Sequence, residues 1–128
     1  MIIRGICSLI PGEEGLSDNI EAISIVDKYL EHSRIIIFHN NGKELYFISS
    51  ADWMIRNLDN RIEVTSPVYD KEIQKELKRM LQIQLNDNVK ARILDKDQTN
   101  QYKQTTTKTK VRAQVDFYKY LKRRMSQL

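Results

Sequence analysis

Residues 29–63 read YLEHSRIIIFHNNGKELYFISSADWMIRNLDNRIE, and this stretch decides the fold. Its apolar run, Ile35–Phe38, is typical of a buried strand. The dipeptide Asn41-Gly42 is a hairpin turn signal, so we expect the chain to return through residues 44–48 as an antiparallel partner. The stretch therefore predicts a β-hairpin with polar residues at its open end.

That open end carries residue types that suit phosphate chemistry. His32 and Arg34 are two residues apart, so in an extended segment both side chains point to the same face. An imidazole can be nucleophile, acid or base near neutral pH, and a guanidinium stabilises spread negative charge through paired hydrogen bonds. The segment Ser49–Asp52 should lie beside the histidine, where hydroxyls and N–H groups could hold phosphate oxygens if a helix opens at Trp53.

Each of these residues also has a simpler structural explanation. A lone His-x-Arg on a half-buried strand is more often a satisfied polar pair than a reactive centre. His39 at the hairpin tip is interpreted as a solvated turn residue, and Trp53 as a core anchor. Ser49 and Ser50 could serve only to cap the helix that follows them.

The remaining elements follow an α/β order. We expect strands at residues 1–10, 62–65 and 89–94, and helices at residues 52–58, from Asp70 to Leu85 and from Val111 onward. Residues 20–29 are interpreted as a strand followed by a turn, although Ile23, Val26 and Leu30 would also form one face of a helix. Residues 11–19 and 96–109 are predicted to be loops, the second of them mobile. The last helix should bury one apolar stripe, made of Val111, Val115, Tyr118, Leu121 and Met125.

Length and composition bound the architecture and the location. A chain of 128 residues, 41% hydrophobic and 30% charged, is expected to build one core. Its apolar runs are too short to cross a bilayer, and its first residues do not have the pattern of a signal peptide. Cys7 is the single cysteine, which we expect to be buried and inert. These features favour a cytoplasmic location, with membrane association of a longer enzyme left open.

The charge of the chain is uneven. Residues 1–100 carry 13 basic and 16 acidic side chains, a net charge of −3, whereas residues 101–128 carry 8 basic and one acidic, a net charge of +7. Clusters such as Lys122-Arg123-Arg124 could attract a polyanion, or could form only a solvated helix face. Aromatic residues are not interleaved with the basic ones as in single-strand binders, so no specific nucleic acid is expected.

Four long strings resemble the C-terminal domain of bacterial polyphosphate kinase. They are RGICSLIPGEEGLSDNIEAISIVDKYLEHSR from Arg4, SSADWMIRNLDNRIEV from Ser49, VKARILDKDQTNQY from Val89, and KVRAQ from Lys110. The resemblance runs from Ile3 to about Tyr120. It implies an α/β, phospholipase-D-like fold in which helices flank a mixed β-sheet. Residues 1–128 would be a single domain, the second of that type in a larger enzyme.

The resemblance also implies an activity. The family reversibly transfers the terminal phosphate of ATP to inorganic polyphosphate through a phosphohistidine, which lies in a preceding domain. Neither His32 nor His39 matches that motif, so this chain alone is expected to be inactive as a kinase. Mg²⁺ is expected to accompany ATP or ADP, with its protein ligands outside this chain. The other domains of the same enzyme are the expected partners, and the full-length enzyme is expected to be a homo-oligomer.

Two site residues come from the resemblance. Arg4, in Arg-Gly-Ile-Cys, matches a family arginine that contacts the nucleotide, and His32, in Leu-Glu-His-Ser-Arg, matches the family's second essential histidine. His32 is therefore the expected catalytic residue, and Arg4 and His32 are the expected ATP- and phosphate-binding residues. The secondary candidates are Arg34, Ser49, Ser50 and Asp52, with Arg34 explained equally well as an ion-pair partner of Asp52 or Glu63.

Two other function classes remain open from the sequence. The pattern His-x-Arg followed by Ser-Ser-x-Asp also resembles a degenerate phospholipase-D half-site, in which Arg34 replaces the lysine and Ser49 the first glycine. A phosphodiesterase or nuclease would need two such centres, which only a dimer of this chain could supply. The other class is a non-catalytic polyanion-binding module that uses the basic C-terminal segment.

Overall fold

A computed structural model describes residues 1–126 and confirms the α/β class. The chain divides into two compact units, a hairpin unit of residues 31–79 and a discontinuous unit of residues 1–30 and 80–126. The elements in chain order are β1 (Ala22–Ile25), β2 (Ile35–Phe38), β3 (Leu45–Ser49), α1 (Ile55–Leu58), β4 (Thr65–Pro67), α2 (Lys71–Leu85), β5 (Ala91–Leu94) and α3 (Ala113–Met125).

The hairpin predicted from residues 29–63 is confirmed. Strands β2 and β3 are antiparallel, with Ile35 opposite Ile48 and Phe38 opposite Leu45. The turn is longer than the two-residue turn that Asn41-Gly42 suggests. It is a single 3-10 turn, Asn40–Gly42, in which the φ angles of Asn40, Asn41 and Gly42 are 44°, 52° and 82°. Asparagine and glycine tolerate this left-handed region best, which explains why they occupy the turn.

Strand β4 completes a three-stranded sheet in the hairpin unit by pairing antiparallel with β3. It lies at Thr65–Pro67 rather than at the predicted residues 62–65, because Ser49 of β3 sets the register by pairing with Thr65. The side chain of Ile62 is fully exposed instead. The rings of Phe38 and Phe47 meet edge to face, with centroids 5.9 Å apart.

Helix α2 starts where the sequence predicts. The carboxylate of Asp70 accepts hydrogen bonds from the N–H groups of Glu72 and Ile73, at 2.8 and 3.0 Å. This N-cap satisfies two donors that the first turn of a helix leaves without a partner.

The discontinuous unit is built on a second sheet. Strands β1 and β5 form an antiparallel pair, with Ile23 opposite Ile93, and Ile2 forms an isolated parallel bridge with Ile23. The strands thus form two sheets, one in each unit, where the sequence led us to expect one. The buried residues of this unit's apolar core are Ile25, Ile83, Ala91 and Ala113.

One buried carboxylate, that of Asp87, connects the elements around this core. Its side chain is fully buried, and one oxygen accepts the N–H groups of Val89, Lys90 and Ala91 at 2.9, 2.6 and 3.0 Å. The other oxygen accepts the N–H of Ala113 at 2.7 Å. Asp87 therefore ties the start of β5 to the start of α3.

Helix α3 forms as predicted, but the predicted buried stripe is only partly confirmed. Val111 packs against the core and Leu121 is half-buried, whereas Val115, Tyr118 and Met125 are exposed. The other residues of this segment that lie at the core are Ala113, Phe117 and Tyr120. The N–H of Ala113 donates to the buried carboxylate of Asp87, so α3 begins at a residue that lies in the core.

Two expectations for the first ten residues are also wrong. The predicted strand is reduced to the bridge at Ile2, since Gly5 turns the backbone at a φ of 115°. Cys7 is exposed rather than buried. Residues 11–19 form the expected loop. Residues 96–109 contain no helix or longer strand, only a bridge from Arg92 to Tyr102, and their mobility stays a prediction.

Within residues 1–126, no helix combines the length and the apolar character that a membrane span requires.

Candidate functional site

The segment from His32 to Arg34 leads directly into β2. The strand begins at Ile35, so His32 precedes it rather than lying on it, although the pairing extends to Arg34, whose carbonyl accepts the N–H of Ser49 at 2.9 Å. The side chain of His32 is exposed. Its carbonyl accepts a hydrogen bond from Nη1 of Arg34 at 3.2 Å, which holds the backbone of this short segment.

Arg34 forms an ion pair with Asp52, one of the two partners that the sequence suggested. Its Nε lies 2.8 Å from Oδ1 of Asp52. The hydrogen bond from Arg34 holds the pKa of Asp52 below its usual range, and the positive charges of Arg34 and Arg56 act in the same direction. The bond to Asp52 likewise raises the pKa of Arg34. The expected placement of Ser49–Asp52 beside the His32 segment is thus observed.

The hydroxyls of Ser49 and Ser50 are engaged within the protein. Ser49 Oγ lies 2.8 Å from the hydroxyl of Thr65 and accepts the N–H of Ala51 at 3.1 Å. Ser50 Oγ donates to Glu63 Oε2 and accepts the N–H of Val64 at 3.0 Å. These bonds tie the end of β3 to the segment that leads into β4.

Glu63 contacts the segment Ser49–Asp52, although the sequence suggested only a possible pairing with Arg34. Its carboxylate accepts hydrogen bonds from Ser50 and from Nδ2 of Asn57, the latter at 2.8 Å. These two bonds, Ser50 first, lower the pKa of Glu63. Asn57 is only 2% exposed, and its Oδ1 is buried without a hydrogen-bond partner. The string RIE at residues 61–63, which carries part of the resemblance, is the signal that could have identified Glu63.

The helix expected to open at Trp53 does not serve the site. Helix α1 begins at Ile55, spans four residues, and has Met54 at its N-cap without a side-chain hydrogen bond. Ser49 and Ser50 therefore do not cap it. Trp53 is 73% exposed rather than a core anchor. His39 is exposed near the hairpin tip, as predicted.

Arg4 belongs to the discontinuous unit. Its Nη1 donates to the carbonyl oxygen of Tyr29 at 3.3 Å, and the same oxygen accepts Nε2 of Gln114 at 2.7 Å. Arg4 is partly exposed. Within the described part of the chain its guanidinium forms no ion pair, so most of its donors are available to an anion.

The described residues do not form a site for a metal ion. Among residues 1–126, no group of three or more His, Cys, Asp or Glu side chains is placed to bind one. The carboxylates of Asp52 and Glu63 are already engaged, Asp52 by Arg34 and Glu63 by Ser50 and Asn57.

Known proteins resemble this chain over most of its length. The family model described as polyphosphate kinase C-terminal domain 2 matches residues 1–114. The chain is 55% identical over 122 residues to a polyphosphate kinase of Vibrio vulnificus (strain YJ016), which is 95% of this chain and 17% of that protein. It is 50% identical over the same length to the polyphosphate kinase of Escherichia coli (strain K12), covering 18% of it.

A solved structure of a polyphosphate kinase also has the same fold over this part of its chain. The crystal structure of polyphosphate kinase from Porphyromonas gingivalis matches with a TM-score of 0.91 and 50% sequence identity, over 97% of this chain and 19% of that chain. This chain therefore spans less than a fifth of the length of these relatives.

Proposed function

Because the chain belongs to the polyphosphate kinase C-terminal domain 2 family, we propose that it is part of an enzyme that reversibly transfers the terminal phosphate of ATP to polyphosphate. The observation that carries the proposal is the identity of 50–55% to polyphosphate kinases over 95% of this chain. The proposed contribution of the chain is to bind the nucleotide and its phosphates and to stabilise the charge that moves during transfer.

Arg4 is proposed to bind phosphate oxygens of the nucleotide. A guanidinium presents five N–H donors in a planar fork that matches two phosphate oxygens at once. One of its nitrogens is anchored on the Tyr29 carbonyl, and no carboxylate neutralises it within the described residues. An anchored but unpaired cation is what the binding of an anion requires.

His32 is proposed to act on the transferring phosphoryl group. Phosphoryl transfer needs little covalent chemistry beyond the nucleophile, so its catalysis comes from positioning and from cationic donors. The exposed imidazole of His32 can donate an N–H to a phosphate oxygen or deliver a proton. In this proposal the phosphohistidine that attacks belongs to a part of the enzyme outside this chain, and the isolated chain is inactive as a kinase.

The secondary candidates are assigned a supporting role. Arg34 and Asp52 neutralise each other, and the hydroxyls of Ser49 and Ser50 are committed to Thr65 and Glu63. We propose that these residues hold the backbone that follows His32 rather than the phosphate itself.

Magnesium is proposed to enter with the nucleotide. The engaged carboxylates of Asp52 and Glu63 do not fit a metal site of the described chain. The ion would neutralise charge on the nucleotide phosphates.

A direct test is an NMR titration of the 128-residue chain with Mg-ATP. Saturable shifts are expected at Arg4, His32 and Ser49–Asp52, and they should be lost in Arg4→Ala and His32→Ala. The matched controls are Arg79→Ala and His39→Ala, which remove an exposed arginine and an exposed histidine elsewhere.

Two other results would contradict the proposal. Shifts confined to residues 103–124 and erased by salt would indicate a polyanion-binding surface without a nucleotide site. Hydrolysis of a phosphodiester by a dimer of the chain, abolished in His32→Ala, would indicate phospholipase-D-like chemistry.

A further inference from the structure

The segment KVRAQ, residues 110–114, has no role in the proposed site although it is one of the strings shared with the family. In the structure it lies against the segment Asp27–Tyr29. Arg112 donates from Nε and Nη2 to the two carboxylate oxygens of Asp27, at 2.8 and 2.7 Å. The side chain of Asp27 is only 3% exposed, so this is a shielded, two-bond ion pair.

Gln114 bonds to Tyr29, at the end of that segment, through both the oxygen and the nitrogen of its side-chain amide. Its Oε1 accepts the N–H of Tyr29 at 3.0 Å, and its Nε2 donates to the carbonyl oxygen of Tyr29 at 2.7 Å. A side-chain amide that bonds to both backbone groups of one residue fixes the direction of that residue's carbonyl.

The carbonyl of Tyr29 is also the anchor of Arg4. A carbonyl oxygen has two lone pairs, and here one accepts Gln114 while the other accepts Nη1 of Arg4. Arg4 is a long side chain with many rotamers, so the position of its guanidinium depends on where this acceptor points. The chain Gln114, Tyr29, Arg4 is thus a continuous hydrogen-bonded path within the discontinuous unit.

We propose that Gln114 is a positioning residue for Arg4. It orients the Tyr29 carbonyl, so that the guanidinium of Arg4 is already in position before a phosphate group binds. The ion pair of Arg112 with Asp27 holds the backbone of residues 27–29, which carries this carbonyl. The inference rests on the proposed function for the role of Arg4 as a nucleotide contact. Preorganisation of this kind strengthens ligand binding because less side-chain freedom is lost when the ligand arrives.

The test is a double-mutant cycle in the polyphosphate kinase that contains this chain, with Gln114→Met and Arg4→Ala made singly and together. Gln114→Met keeps the length of the side chain but removes both hydrogen bonds. We expect it to raise KM for ATP about threefold to tenfold, the effect of about one hydrogen bond. In the Arg4→Ala background it should cause no further rise, because the residue through which it acts is gone. Gln82→Met, an exposed glutamine on α2, is the matched control and should change nothing.

A second readout follows Arg4 itself. The guanidinium signals of Arg4 in the NMR spectrum of the 128-residue chain should shift and lose their restriction in Gln114→Met and stay unchanged in Gln82→Met. If Gln114→Met fails to fold, Gln114→Asn is used instead. Its amide is too short to reach Tyr29 as Gln114 does and adds no charge beside Arg4, so the same changes are expected.

The outcomes separate the two proposals. A rise in KM that is equally large with and without Arg4, or an unchanged KM and unchanged Arg4 signals in a folded variant, would overturn the positioning role of Gln114. If Arg4→Ala by itself leaves KM for ATP unchanged, the assignment of Arg4 in the proposed function fails instead.

Discussion

The carboxylate of Asp87 accepts a 2.7 Å hydrogen bond from the backbone N–H of Ala113, the first residue of α3. The two residues are 26 positions apart in the sequence, and both are almost completely buried. A helix N-terminus needs acceptors for its first N–H groups, and its positive end favours an anion. Here Asp87 supplies an acceptor as well as a carboxylate, although strand β5 and a loop separate it from α3 in the sequence.

Asp87→Asn should destabilise the chain by about 2–4 kcal/mol. The amide keeps an oxygen for the three N–H groups at the start of β5 but places an N–H group against that of Ala113. Urea unfolding followed by circular dichroism measures the loss. The control is Asp97→Asn, at an exposed position, which should change the free energy of unfolding very little. Equal stability of the two variants would refute the structural role of Asp87.

The ion pair of Asp27 with Arg112 should contribute to acid unfolding. The hydrogen bond from Arg112 lowers the pKa of Asp27 in the folded state. The stabilisation is therefore present above the unfolded pKa of about 4 and is lost as pH falls through the lower folded value. Melting temperatures measured from about pH 7 down to about pH 3 should fall less steeply in Asp27→Asn than in the parent chain. Arg112→Met removes the same pair and should flatten the profile similarly; a profile as steep as the parent's in both variants would exclude the pair as a cause.

Tyr46 should titrate later than an ordinary tyrosine. Burial and a 2.6 Å hydrogen bond to Glu44 raise its pKa to about 12. The phenolate absorbance of the parent chain minus that of Tyr46→Phe isolates its titration. In Glu44→Gln the pKa of Tyr46 should move back toward the ordinary value of about 10, because the neighbouring negative charge is removed. A midpoint near 10 in the parent chain would contradict the buried environment of this side chain.

Asp52→Asn should strengthen nucleotide binding. Asp52 neutralises Arg34 beside His32, and removing its charge leaves the guanidinium attractive to phosphate. Because the pair is partly exposed, the expected gain is only about twofold to fivefold in the Kd for Mg-ATP. Isothermal titration calorimetry of the 128-residue chain measures it, with Asp59→Asn as an exposed control. Weaker binding would show that Arg34 needs Asp52 in order to hold the segment in place.

The elements that the sequence predicts well have local signals. The hairpin depends on one apolar run and on Asn41-Gly42, and the start of α2 depends on the Asp70 cap. His32 and Arg4 are identified only by resemblance, since the local pattern cannot distinguish a reactive histidine from a satisfied polar pair. Whether these two residues act on a nucleotide stays a prediction.

The features that escaped prediction depend on partners far away in the sequence. Asp87 stands among polar residues that look like a simple turn, and only its bond to Ala113 reveals its role. The residues of α3 that pack at the core are Ala113, Phe117 and Tyr120, and none of these three belongs to the predicted stripe. Likewise, Gln114 shows its function only through Tyr29, which lies 85 positions earlier in the chain.

The hairpin unit lies in the sequence between the two parts of the discontinuous unit, and this arrangement affects the order in which the protein can fold during synthesis. The pairing of β1 with β5 must wait until residue 91 and its neighbours have left the ribosome, although the bridge from Ile2 to β1 can form earlier. Residues 31–79 contain all three strands of their own sheet and can pair as soon as they emerge. The part of the chain that is made in the middle is thus free to fold first, and β1 finds its partner strand only afterwards.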